Sequence, residues 1–221
     1  MNAGDDGRHS AAARRAFLRA ASLGAGALVL PAAARPTRAT PLQGEKPPAD
    51  LPAGPTRRVV AGPFYRPGAP FRGKTTPPFE PGTVMLFSGR VFGWDSRRPL
   101  GGATLDLWHV DVDGRYSSGA GDFKNRARVL TAEDGSFEVE IVHPVAYQPG
   151  PGGWRCAHLH LAAEAPGYRP LVTEVYFQGD PHQETDFLFH PSLCVPVQGH
   201  GSGAAAYESA RFDVVLERAS G

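Results

Sequence analysis

An all-β fold, an antiparallel β-sandwich with long loops, is predicted by three features of this 221-residue sequence. It holds 27 Gly and 22 Pro but only two Met, a balance that suits many turns better than long helices. Its β-branched and aromatic residues fall into short runs of apolar and polar alternation, the period-2 mark of half-buried strands. Those runs are separated at regular intervals by Gly, Pro, Asp and Asn clusters. The length suffices for one domain with a full core once processed segments are removed.

Taken in order, residues 1–39 read as an export signal. Arg14-Arg15-Ala16-Phe17-Leu18-Arg19 resembles the twin-arginine motif, the apolar Ala20 to Leu30 follows, and Ala32-Ala33-Ala34 offers small residues for cleavage. The apolar stretch is too short to span a bilayer as a permanent helix, and no cysteine follows it to carry a lipid. The expectation is export by the twin-arginine machinery to the periplasm or the extracellular space, with no permanent membrane anchor. Residues 40–60, rich in Pro, Thr, Arg and Ala without periodicity, read as a linker, and 61–221 as the sandwich domain. Its first segment, Gly62-Pro63-Phe64-Tyr65-Arg66-Pro67-Gly68-Ala69-Pro70, mixes turn residues with aromatics and predicts an extended arm laid across the domain. Strands are predicted at Val84 to Trp94, Ala103 to Val110, Ser136 to Val142, His158 to Glu164, Val172 to Gln178 and Phe212 to Glu217. Asp95-Ser96-Arg97-Arg98-Pro99, Asp113-Gly114 and Glu133-Asp134-Gly135 are the turns between them.

A net charge of +1, with no basic stripe, gives no field for nucleic acid. The chemistry gathers elsewhere. In Arg155-Cys156-Ala157-His158-Leu159-His160-Leu161 the two histidines are two residues apart on a predicted strand. Both imidazoles therefore project to one face and can converge on a metal, while Leu159 and Leu161 turn to the core. Tyr116, just after the Asp113-Gly114 turn, and Tyr147, in the proline-flanked loop Pro144 to Gly150, are candidate partners. Phenolate is a hard, donating anion that favours a trivalent ion, so two tyrosinates with two imidazoles suit ferric iron. Zinc or copper also accepts a His-x-His pair but leaves both tyrosines unexplained. Cys156 shares strand parity with the histidines and is an alternative soft ligand. Cys156 and Cys194 are equally compatible with a disulfide, as export permits, or with two buried thiols. His109 and His143 read as hydrogen-bonded structural residues.

Gly62-Pro63-Phe64-Tyr65, Pro99-Leu100-Gly101-Gly102-Ala103, Leu107-Trp108-His109-Val110-Asp111, Gly114-Arg115-Tyr116-Ser117, Asp134-Gly135-Ser136-Phe137, Tyr147, Arg155 to His160 and Tyr176-Phe177-Gln178-Gly179-Asp180 stand in the order found in intradiol ring-cleavage dioxygenases. The chain resembles that family over roughly residues 61 to 190, in particular its exported single-domain members and single protocatechuate 3,4-dioxygenase subunits. The resemblance implies a sandwich whose loops carry an Fe(III) site with Tyr116, Tyr147, His158 and His160 as ligands. Tyr116 and His158 would be equatorial, and Tyr147 and His160 axial, with Tyr147 displaced by substrate. The implied reaction takes a catechol and O2, incorporates both oxygen atoms, and opens the ring between the hydroxyls to a muconate-type diacid. Arg155 would lie near the substrate ring and stabilise negative charge on carbon. The arm residues Gly62, Pro63 and Tyr65 would help line the substrate pocket. The sequence departs from the family pattern at Cys156, where proline is usual, and at Glu174, where glutamine is usual; Glu174 would pair with Arg155 and tune the site. A homo-oligomer is compatible with this resemblance. The rival is a secreted sandwich module that binds carbohydrate or an aromatic ligand without chemistry, which has no need of the full ligand set.

Overall fold

The computed structural model describes residues 51–119 and 121–220; the predicted signal and the first part of the predicted linker lie outside the described residues. Strands form where the alternation predicts them. In β1 (Val84–Gly93), Met85, Phe87, Gly89 and Val91 are buried while Leu86, Ser88 and Arg90 between them are partly exposed, and β4 (Ser136–Val142) answers with Phe137, Val139 and Ile141. The two pair antiparallel from Val84 with Val142 to Arg90 with Ser136. Across β1, β9 (Tyr207–Arg211) and β10 (Val214–Leu216) pair parallel to it, and β8 (Val197–His200) pairs antiparallel to β9.

The second sheet runs in the order β3 (Arg126–Leu130), β2 (Thr104–Trp108), β5 (His158–Glu164), β6 (Leu171–Phe177) and β7 (Cys194–Val195). It is antiparallel except for β6 with β7. The sandwich is thus mainly antiparallel, with parallel partners where the chain returns after long connections. The two sheets share one core: Met85, Phe87, Val139 and Ile141 from the first meet Leu105, Leu107, Leu159, Leu161 and Val175 from the second. Close packing has a backbone requirement at Gly89, where an added Cβ would sit 1.9 Å from the carbonyl oxygen of Phe212. The only helices among the described residues are two short 3₁₀ turns, Pro191–Leu193 and Gly203–Ala205, and none of these is long and apolar enough to cross a membrane.

Four strands, β3, β7, β8 and β9, were not expected. Arg-Ala-Arg-Val-Leu and Tyr-Glu-Ser-Ala-Arg carry too much charge to read as strands alone; pairing to β2 and β1 overrides their weak preference. The stretch 51–60, read as linker, is hydrogen-bonded to the sandwich. Thr56 N–H donates to Val215 O at 2.9 Å, Val59 N–H donates to Val172 O at 2.8 Å, and Leu51 is buried. The arm after it does lie across the domain, with Arg72 N–H on Arg128 O and Thr75 N–H on Glu140 O.

Asp106 on β2 is buried, and burial pushes its carboxyl up to about 6 although the Tyr65 hydroxyl donates to it at 3.3 Å. An acid whose folded pKa is raised weakens the fold once it ionises, so its penalty is absent below the unfolded value and complete above about 6. Asp106→Asn keeps an acceptor for Tyr65. Denaturant titration is expected to show it more stable than the parent by roughly 1–2 kcal/mol at about pH 8, and equal to it at about pH 4. Equal stability at both pH values would contradict this account.

Candidate metal centre

Strand parity places the centre. Leu159 and Leu161 enter the core, so His158 and His160 project from the opposite face of the second sheet, where they are 1% and 3% exposed. Their cross-strand partners on β6 are Tyr176 and Glu174, and Trp108 on β2 stands opposite His160. The Trp108 ring stacks on the His160 imidazole at 4.8 Å and 4°.

Both tyrosines arrive on loops with identifiable supports. The Asp111 carboxylate accepts the N–H groups of Asp113 (3.0 Å) and Arg115 (2.9 Å), tying down the turn that delivers Tyr116. Gly114 in that turn has φ +74°, and a Cβ there would come within 2.8 Å of Tyr147 Cβ, so glycine serves both conformation and approach. Tyr147 and Arg155 face each other at the neck of a hairpin, Tyr147 N–H donating to Arg155 O and Arg155 N–H to Tyr147 O. The loop between them is Gln148-Pro149-Gly150-Pro151-Gly152-Gly153-Trp154.

Four donor atoms converge. Tyr116 Oη lies 2.9 Å from His160 Nε2, 3.3 Å from His158 Nε2 and 3.5 Å from Tyr147 Oη. His158 Nδ1 donates to Cys156 O at 2.6 Å, which leaves Nε2 with its lone pair toward the centre. Burial holds both imidazoles neutral: His158 is lowered to about 4, with Arg155 adding to the effect, and His160 is lowered by burial and then by His158. Burial likewise drives both phenols above their ordinary value, reinforced at Tyr116 by Tyr147. Neutral imidazoles are ready ligands, whereas the phenols need a strong cation to ionise. That donor set fits a trivalent metal.

Glu174 also lies close, its carboxylate and the two histidines offering atoms within 4.8 Å of one another. It is not the third ligand of a two-histidine, one-carboxylate site. Its Oε2 accepts from Arg155 Nη2 at 2.6 Å and from the Tyr176 hydroxyl, and its Oε1 faces the Nδ1 edge of His160, behind the ligating edge.

Arg155 is buried between two carboxylates. Its Nε donates to both oxygens of Asp186 at 3.0 Å, and its Nη2 to Glu174. Burial works against its charge, but Glu174 and then Asp186 outweigh that and raise its pKa. Asp186, which also accepts from Cys156 N–H and Leu188 N–H, is held below the usual carboxylate range despite burial. The predicted pairing of Glu174 with Arg155 is therefore present, and Asp186 is a partner the sequence did not disclose.

The arm differs from expectation. Gly62 and Pro63 are exposed, and Tyr65 turns to Asp106 and packs on Trp108 at 4.9 Å. Phe64 is the arm residue on the centre, stacked on Tyr116 at 4.4 Å and 12°. Pro63 and Phe64 form a turn after Gly62 at φ +69°, and that turn presents Phe64 rather than Tyr65 to Tyr116. Cys156 and Cys194 are free thiols. Burial and then Asp186 push Cys156 up to about 12, which disfavours the thiolate a metal needs. His109 is structural, bonded to Thr75 Oγ1 and Val110 O, and His143 pairs with Glu208.

The chain is similar in sequence and in fold to known proteins. The sequence profile of the family described as Dioxygenase matches residues 60–218. A chlorocatechol 1,2-dioxygenase of Rhodococcus opacus is 36% identical over 187 residues, 73% of this chain and 72% of that protein. A catechol 1,2-dioxygenase of Acinetobacter lwoffii is 34% identical over 62% of this chain, which spans only 56% of that relative. Among solved structures, catechol 1,2-dioxygenase from Pseudomonas arvilla C-1 superposes with a TM-score of 0.71 at 30% identity, covering 76% of this chain and 64% of that one. The dioxygenase domain of a dioxygenase carbohydrate-binding fusion from Streptomyces sp. SirexAA-E superposes at 0.63 with 35% identity, covering 75% of this chain and 99% of that domain. By its profile match and its identity to these relatives, the chain belongs to the intradiol ring-cleavage dioxygenase family.

Proposed function

We propose that this protein is a non-haem Fe(III) dioxygenase that opens catechol-type aromatics between their hydroxyls, forming muconate-type diacids. The observation that carries this reading is the convergence of Tyr116, Tyr147, His158 and His160 on one point, with His158 presenting its unprotonated Nε2 there. When bound, ferric iron would accept electron density from a chelated catecholate, giving the ring the partial radical character that opens it to O2, and would supply a hydroxide. Tyr116, His158 and His160 would hold the metal throughout. Tyr147, which alone of the four sits at the neck of a Gly- and Pro-rich hairpin, would be the donor a catechol displaces, its phenolate oxygen taking one catechol proton. Phe64, stacked on Tyr116, shields that ligand from water. A cavity of about 310 Å³ lined by residues 149–155, Thr185 and Phe187 lies beside Arg155, and none of the four donors lines it.

The reading is tested on the iron-loaded protein. Tyrosinate bound to ferric iron absorbs visible light, so a burgundy colour is expected, together with uptake of one O2 per catechol and both atoms of ¹⁸O2 in the product. A colourless preparation with one Fe(III) per chain would overturn it. We also propose export, on the order of basic, apolar and small segments in residues 1–39; an N-terminus starting after Ala34 in secreted material is the expected result.

A further inference from the structure

The two histidines of the centre have unlike partners behind them. His158 Nδ1 donates to a neutral carbonyl, that of Cys156, at 2.6 Å. His160 Nδ1 is fully buried and has no hydrogen-bond partner; the group facing it is Glu174, whose Oε1 stands 3.5 Å away. Three constraints keep these two side chains in place. They are direct register partners across β5 and β6. Trp108 covers one face of the imidazole, so the ring cannot swing toward another acceptor. The other carboxylate oxygen is held by Arg155 and Tyr176. A lone pair on Nδ1 facing a carboxylate in a dry site is repelled, whereas an N–H there is attracted. The same carboxylate leaves Nε2, the atom 2.9 Å from Tyr116 Oη, as the bare nitrogen.

We propose that Glu174 is a positioning residue for the metal: its carboxylate fixes His160 as the Nδ1–H tautomer and makes that imidazole the stronger donor of the two. An anionic partner behind a ligating imidazole raises its basicity more than a carbonyl does, and such partners are worth about 10–100-fold in metal affinity. The metal half of the proposal rests on the ferric reading above, while the tautomer half does not.

The experiment therefore has two arms. In the full-length metal-free chain, long-range ¹H–¹⁵N correlation spectra are expected to show His160 protonated at Nδ1, with the Nε2–H form growing in Glu174→Gln. Competition for Fe(III) against nitrilotriacetate is expected to show Glu174→Gln binding about 10–100-fold more weakly than the parent. Asp186→Asn loosens Arg155 without touching His160, and it should leave both readouts within about threefold, which separates the action on His160 from any effect relayed through Arg155. His160 protonated at Nε2 in the parent overturns the proposal, and this measurement stands even if Glu174→Gln fails to fold. An Fe(III) affinity in Glu174→Gln within about threefold of the parent, or an equal loss in Asp186→Asn, overturns it as well. A parent protein that binds Fe(III) without visible absorption sinks the ferric reading instead.

Discussion

His158→Ala is expected to lose iron, colour and ring cleavage together. The substitution removes one of the four donors that converge at the centre, and the neighbouring groups offer no replacement. Cys156, two residues away, has its thiol pushed up to about 12, while Glu174 has one oxygen held by Arg155 and Tyr176 and the other facing the Nδ1 edge of His160, behind the ligating edge. Fe(III) affinity should fall by more than about 10³-fold, beyond the range seen when only a supporting partner of a ligand is lost. Turnover should fall at least as far. The fold should survive, because the deleted imidazole lies on the outer face of the second sheet rather than between the sheets; a cost of about 1–3 kcal/mol is expected for the lost packing against Tyr176 and Tyr147. Iron content by elemental analysis, the visible band and O2 uptake on one preparation check the three losses. Retention of iron within about tenfold of the parent would show that His158 is not a ligand.

How far such a site can be read in advance depends on where each residue sits. The His-x-His pair was legible because strand parity is a local property: His158 and His160 on one face and Leu159 and Leu161 on the other follow from a period of two. Trp108 and Glu174 are its register neighbours, and register is set by pairing across strands rather than by any local signal. The arm shows the limit of a motif. Gly62-Pro63-Phe64-Tyr65 pointed to the right segment, yet which aromatic faces Tyr116 depends on how the segment lies on the sheet. Asp186 left no trace in the sequence, since it reaches Arg155 from a loop 31 residues further along. The parallel strands β7 and β9 were hidden for a related reason: their partners are fixed by long connections, and short polar runs take their conformation from the neighbour they join.

Arg155→Met is expected to damage stability and chemistry by separable routes. In the parent, a guanidinium 7% exposed compensates Glu174 and Asp186, which are 1% and 5% exposed. Removing one partner of a buried ionic cluster costs about 3–5 kcal/mol, since the remaining charges stay desolvated. For a domain of this size that corresponds to a fall in melting temperature of roughly 10 °C. Asp186 keeps the N–H groups of Cys156 and Leu188, so most of the penalty should fall on Glu174, whose remaining neutral donor is the Tyr176 hydroxyl. The double variant Arg155→Met with Glu174→Gln removes that stranded charge and should regain about half of the lost stability. Turnover follows a different course. If Arg155 acts on charge developing on the substrate, kcat falls about 10²–10³-fold in the single variant and stays there in the double one. Thermal melts and steady-state O2 uptake on both variants separate the two contributions. Recovery of turnover along with stability would reduce Arg155 to a structural counter-ion, whereas a single variant as stable as the parent would mean the three-residue cluster does not hold this face of the domain together.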